Sequence, residues 1–178
     1  LIEQFLPSLI IQFMMQNNFL KNKKIILSAG ALGIGLATVK LLLSRGAFVY
    51  TCDIDKKNIN KLKKNPYFNK KLFISECDAS KEDEVKKFYK EISYKTKKID
   101  GLINNIGIAG PTSPLEKIKS DDWEKTIHVN VNSHFYFTKY AIPMIKKSKN
   151  GSIINISSTA GIDGFPNRSP YAASKWAL

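Results

Sequence analysis

Lys24-Ile25-Ile26-Leu27-Ser28-Ala29-Gly30-Ala31-Leu32-Gly33-Ile34-Gly35 is the stretch that decides the fold. A short apolar run empties into a glycine-rich turn, and helical spacing begins at once. Leu36, Val39, Leu42 and Leu43 share one face, and Arg45-Gly46 supplies a stop. The run therefore reads as a buried strand, and Ile34 to Ser44 as a helix. Glycines at such a junction let the backbone turn tightly and approach a pyrophosphate, whose charge the free N–H groups of a helix start stabilise. The spacing is not the literal G-x-G-x-x-G pattern, and no G-K-[ST] follows to mark a nucleoside triphosphate loop.

Working outward, apolar runs keep alternating with amphipathic stretches. Ala47 to Cys52 is β-rich and closes on Asp53, and Asp55 to Lys64 is a polar helix with Pro66 just beyond it. Leu72-Phe73-Ile74 forms a third strand, after which Ser80-Lys81-Glu82-Asp83 opens a helix as a capping sequence. Gly101-Leu102-Ile103 starts a fourth strand. Ser120-Asp121-Asp122 caps a long helical region running to Lys146, with Pro143 kinking its last turns. Ser152 to Ile156 gives a fifth strand, and Tyr171 to Leu178 begins another helix. Continuous apolar strands alternating with helices predict an α/β fold: a doubly wound, Rossmann-like parallel sheet covered on both faces. Such sheets bind ligands beyond the carboxyl ends of their strands, so the informative residues are those just after each apolar run.

Composition narrows the function classes. The chain has 178 residues, of which 43% are hydrophobic, enough for one buried core. Residues 21–178 read as one domain, and 1–20 as an N-terminal extension, disordered or spurious. That extension carries one charge, Glu3; its stretch before Met14-Met15 is too short for a membrane span, and it lacks the positive start of a signal peptide. Met14 or Met15 would serve as the initiator. With 28 Lys+Arg against 15 Asp+Glu the net charge is +13, but the excess is Lys spread over polar helix faces. Arg occurs only at Arg45 and Arg168, and no nucleic-acid recognition motif is present, so neither nucleic acid nor membrane is the expected partner. Two separated cysteines, Cys52 and Cys77, form no disulfide framework and point to a reducing compartment, the cytoplasm. No metal site is read.

Asp53 ends the second strand, where a carboxylate can accept from both ribose hydroxyls of an adenosine and would repel a 2′-phosphate. NAD is expected in preference to NADP, an exclusion that the nearby Lys56 and Lys57 would soften. Asp78, after the third strand, is placed to bond an adenine amino group; a plain helix-entry residue is the alternative. Tyr171-Ala172-Ala173-Ser174-Lys175 sets a phenol and an ammonium at i and i+4 on one helix face. A close cation favours the phenolate, which suits the pair to move the proton of an alcohol–ketone couple. Ser157-Ser158 after the fifth strand offers a hydroxyl for the substrate oxygen. Asn104-Asn105-Ile106-Gly107, after the fourth, lies beside the path of a bound dinucleotide.

Taken in order along one chain, these motifs resemble the short-chain dehydrogenase/reductase family of the compact, non-extended type, over Lys23 to Leu178. Its Thr-Gly-x-x-x-Gly-x-Gly motif falls on Ser28 to Gly35, and its Asn-Asn-Ala-Gly element on Asn104 to Gly107. The resemblance implies an NAD(P)(H)-dependent oxidoreductase that interconverts an alcohol and a ketone or aldehyde. In that reading Tyr171 is the general acid/base and Lys175 assists it and touches the nicotinamide ribose. Ser158 polarises the carbonyl, and Asn130 holds the water of a proton relay. The implied cofactor contacts are Ser28, Gly30, Leu32, Gly33, Ile34, Gly35, Asp53, Ile54, Asp78, Ala79, Asn105, Ile106 and Gly107, with Tyr171 and Lys175. The implied partner is a small alcohol or carbonyl substrate, and the full-length parent is expected to be a homotetramer or homodimer.

Three departures from the family pattern stand out. Ala29 replaces the first glycine, tolerable if its φ is negative. Ile106 replaces a small alanine and brings bulk near the dinucleotide. The chain also stops three residues after Lys175. Against the family, residues 21–178 are therefore expected to be a partial NAD(P)-binding Rossmann domain carrying the catalytic residues, its doubly wound sheet incomplete at the C-terminus. A longer parent is expected, and the chain as it stands would be weakly active or inactive. Gly110 to Pro114 and Gly164 to Arg168 border the substrate opening without identifying a substrate, although Arg168 could meet an anionic group. The competing reading is a non-catalytic dinucleotide-binding or regulatory module.

Overall fold

The computed structural model describes residues 19–65 and 70–178. The expected start at Met14 or Met15, most of the 1–20 extension and Pro66 lie outside the described residues. Five parallel strands stand in the order β3-β2-β1-β4-β5. They are β1 (Lys24–Ser28), β2 (Phe48–Asp53), β3 (Leu72–Glu76), β4 (Gly101–Asn104) and β5 (Ser152–Asn155). The crossovers are made by α1 (Gly33–Ser44), α2 (Lys56–Lys64), α3 (Glu82–Lys95), and the pair α4 (Ser120–Ile127) and α5 (Ser133–Ile145); α6 (Ser169–Trp176) follows β5.

Strand alternation sorts the core into two layers. Ile25, Leu27 and Val49 face α1 through Val39 and Leu42, while Ile59 and Leu62 of α2 cover Ile74. Ile26, Tyr50, Cys52 and Leu102 face the other way onto Val85, Phe88 and Ile92 of α3 and Phe137 and Ala141 of α5. Aromatic rings tie that second layer together: Phe88 lies 5.8 Å from Phe137 and 5.7 Å from Tyr89, centroid to centroid. Beside them, the Tyr89 hydroxyl donates to the Phe137 carbonyl at 2.8 Å. The strand order reverses between β1 and β4, which opens the crevice in which doubly wound sheets take ligands.

The sheet is flanked by helices as expected, and β5 is its edge strand, with all residues exposed, Ile153 at 40% and Ile154 at 50%. Several expectations are corrected. Ser80 does not cap α3; its hydroxyl donates to Asp78 Oδ1 at 2.7 Å, and Lys81 is the capping residue without a side-chain bond. Similarly, Lys119 and not Ser120 precedes α4, again with no side-chain cap. The long helical region is broken by a π-helical turn at His128–Asn132, well ahead of Pro143. An extra residue in a helical turn swings the side chains that follow, and such turns gather at functional sites.

Candidate active site

The glycine-rich turn joins β1 to α1 and is stitched to its neighbours. Gly30 N–H donates to the Cys52 carbonyl at 3.0 Å, and Ala31 N–H to Asp53 Oδ2 at 2.9 Å. Gly35 is required by close approach: a methyl there would collide with the Ala29 carbonyl and lie 2.8 Å from Asn105 Nδ2. Leu32 caps α1 without a side-chain bond, so the first N–H groups of that helix are left for a ligand. Leu32 and Ile34 are exposed on either side of Gly33. Ala29 departs from expectation. Its φ is +56°, in the left-handed region, where a side chain costs about 1–2 kcal/mol.

Asp53 stands at the tip of β2, as read from the sequence. Its Oδ1 accepts from Asp55 N–H at 3.1 Å and its Oδ2 from Ala31, which leaves lone pairs on both oxygens. Beyond it lies a cavity of about 340 Å³, walled by Asp53, Ile54, Asp78, Ala79, Ile106 and Gly107 among the expected residues. Ala29, which replaces the motif's first glycine, and Ser80 also line it, as do Ile108, Lys125 and Val129, which carry no local signal in the sequence. Burial pushes the Asp78 carboxyl up, but hydrogen bonds from Ser80 and the charge of Lys81 outweigh it and hold it below the usual carboxylate range. Ile106 is 8% exposed and belongs to the core, so most of its bulk is absorbed by packing. Ser28 is fully buried, and its hydroxyl accepts from Asn105 N–H at 3.0 Å. Asn105 in turn donates its side-chain amide to the Ser28 and Ala29 carbonyls, at 3.3 and 3.1 Å. These two residues hold the turn in place from behind.

The reacting end is assembled by α6 against the segment after β4. A methyl added at Gly107 would lie 3.3 Å from Lys175 Nζ and 3.6 Å from Asn130 Oδ1, so those two side chains meet at this glycine. Lys175 is 6% exposed, and burial pushes its pKa down from the ordinary lysine value. Its ammonium donates to the Ile156 carbonyl at 2.9 Å and lies 5.8 Å from the centre of the Tyr171 ring. Asn130 sits in the π-helical turn, fully buried. Its Oδ1 accepts from Ile108 N–H at 2.7 Å, while its amide donates to the Ile108 carbonyl at 3.0 Å and to Ser174 Oγ at 2.8 Å. Ser174 thus links the turn to α6, a role invisible in sequence. Ser158 caps a 3-10 turn, Thr159–Gly161, by accepting from Ala160 N–H at 3.2 Å. That turn packs on α6: a methyl at Gly161 would lie 2.5 Å from the Lys175 carbonyl. Among the described residues no group hydrogen-bonds the Tyr171 hydroxyl, and Ser158 does not reach it directly.

A parallel sheet with an uncapped helix start, an acid at the second strand tip and a Tyr–Lys helix beside the crevice defines a dinucleotide-fold protein of the Rossmann class. Comparison with known proteins narrows the class. The short chain dehydrogenase family matches residues 23–178, and the chain belongs to that family. It is 36% identical over 157 residues to the 3-oxoacyl-[acyl-carrier-protein] reductase FabG of Thermotoga maritima, covering 88% of this chain and 63% of that one. Among solved structures, levodione reductase superposes with a TM-score of 0.81 at 25% identity, over 88% of this chain and 62% of the other. The NADP-bound structure of ElxO gives 0.79 at 26%, over 88% and 63%. The chain therefore spans less than two thirds of the length of each of these relatives. Among the described residues no helix is long and apolar enough to cross a membrane.

Proposed function

We propose that the protein acts as an NAD(P)(H)-dependent oxidoreductase on an alcohol–carbonyl couple, with NAD preferred. The observation that carries this reading is the meeting of Lys175 and Asn130 at Gly107, with the Tyr171 ring beside the ammonium. The residues present fit a dinucleotide: an uncapped α1, a glycine whose missing side chain clears the turn, and an acid-lined cavity at the strand tips. The α1 N–H groups would hold the pyrophosphate, Asp53 the adenosine ribose, Asp78 the adenine, and Lys175 the nicotinamide ribose. When bound, the nicotinamide supplies or accepts a hydride at C4.

In the reducing direction Tyr171 gives the proton of its hydroxyl to the carbonyl oxygen as hydride reaches the carbon; in the oxidising direction it takes that proton back. Lys175 stands beside it, its ammonium 5.8 Å from the centre of the Tyr171 ring. Ser158 keeps its own O–H free after accepting from Ala160, and directs it at the substrate oxygen. Asn130 holds the Ile108 backbone and α6 in register, so that these groups converge. Tyr171→Phe removes the proton and leaves the ring, and should lower kcat at least about a hundredfold with little change in dinucleotide affinity. Undiminished turnover in that variant would refute the assignment.

Cofactor preference rests on Asp53, whose charge would face a 2′-phosphate across the strand tip. ElxO, by contrast, was solved with NADP. Asp53→Ala should bring the affinities for NADH and NADPH together.

A further inference from the structure

After β4 the chain from Asn105 to Ile108 has no regular structure, yet it forms one wall of the cavity and carries Gly107 to its meeting with Lys175 and Asn130. A segment with no ladder of its own needs outside partners for its backbone groups. At one end Asn105 N–H is held by Ser28, and at the other Asn130 takes both backbone groups of Ile108. Between them, the Ile106 carbonyl accepts from Nε2 of His134 at 2.9 Å. His134 lies four residues beyond Asn130, in the first turn of α5, and is 4% exposed.

Its protonation follows from these contacts. A carbonyl can only accept, so Nε2 carries the hydrogen and Nδ1 a lone pair. Nδ1 is buried with no partner, so a second proton there would have nothing to bond. Burial pushes the imidazole below its ordinary value; the Ile106 contact pulls the other way, and the nearby Lys175 charge adds a smaller push down. The ring is a neutral, fixed donor.

We infer that His134 is a positioning residue for the dinucleotide site: its single N–H, held on the Ile106 carbonyl, sets the path of Ile106 and Gly107 along the cavity wall. It does not line the cavity and has no role in the proton transfer assigned to Tyr171. The inference rests on reading the cavity as a dinucleotide site.

The test uses the isosteric pair His134→Gln and His134→Met, one keeping an N–H able to reach the carbonyl and the other only filling the volume. NADH is titrated by fluorescence, and amide hydrogen exchange is followed at Ile108, whose N–H is bonded to Asn130, with Ile26 and Leu27 as internal controls. The Met variant should weaken NADH about tenfold and speed exchange at Ile108 while the controls stay slow; the Gln variant should bind within about threefold of the unmodified chain. If the Met variant does not fold, His134→Asn, whose amide is too short to span the gap, replaces it with the same expectation. Unchanged affinity in the Met or Asn variant, or a Gln variant as weak as they are, overturns the positioning role while leaving the cofactor reading intact. Failure of the unmodified chain to bind NADH or NADPH overturns the cofactor reading, and this inference with it.

Discussion

Lys24-Ile25-Ile26-Leu27-Ser28 and Ser152-Ile153-Ile154-Asn155 are nearly the same strand written twice, and the fold treats them in opposite ways. β1 lies at the centre of the sheet with Ile26 and Leu27 fully buried, whereas β5 lies at its edge with every residue exposed. Ile154 pairs in register with Ile103, and on their shared face a groove of about 320 Å³ runs past Ile25 and Leu42. Two apolar isoleucines are enough to make a strand; what lies over them decides their burial. The same contrast separates the two halves of the site. The part proposed to hold the cofactor, built on β1, β2 and β4, is fastened from several sides, while the segment after β5 exposes Ile162 and Phe165.

The difference is sharpest under truncation of one side chain. Ile26→Ala should cost about 3 kcal/mol, the range of buried aliphatic deletions, read as a shift in the urea midpoint. A cost as small as that of an edge-strand substitution would break the contrast.

Asp100 fastens the lower ends of the strands: its Oδ2 accepts from Lys24 N–H at 3.0 Å and its Oδ1 from the Ser148 hydroxyl at 2.7 Å. Burial raises its carboxyl, but these bonds and Lys98 bring it below the usual value. A depressed carboxylate contributes stability that is present above the unfolded pKa near ~4 and is lost as pH falls through the folded one. Asp100→Asn should therefore cost about 2 kcal/mol at neutral pH and less as the pH drops below ~4. An equal cost at pH 3 and pH 7 would dissociate the effect from the charge.

Ala29→Gly works in the other direction. Relief of the left-handed strain should add about 1 kcal/mol, or roughly 2–4 °C in Tm for a chain of this size, offset in part by the entropy of the added glycine. A fall in Tm would show that the alanine is accommodated without strain. Smallest of all, Ile154→Ser should change stability by no more than about 0.5 kcal/mol, because that side chain is already half in water.

Much of the architecture was legible because its signals are local. The apolar run into Gly30, the acid at Asp53, Asn105 to Gly107 and the Tyr171–Lys175 pair each lie within a few residues of a strand tip, and the sheet brings the tips together. What was missed depends on contacts between distant stretches. His134 and Ser174 look like ordinary helix residues until β4 and α6 are placed beside them. The positive φ of Ala29 is set by the turn and not by the residue, since alanine by itself avoids that region. Nor does any local pattern separate a π-helical turn at Asn130 from a plain helix bent by Pro143.

The most direct test of the account is a titration of the unmodified chain with NADH and NADPH, repeated with Asp53→Ala. The account predicts saturable binding of both, with NADH tighter by about tenfold and the gap closing once the carboxylate is removed. Absence of saturable binding by the folded chain would contradict it.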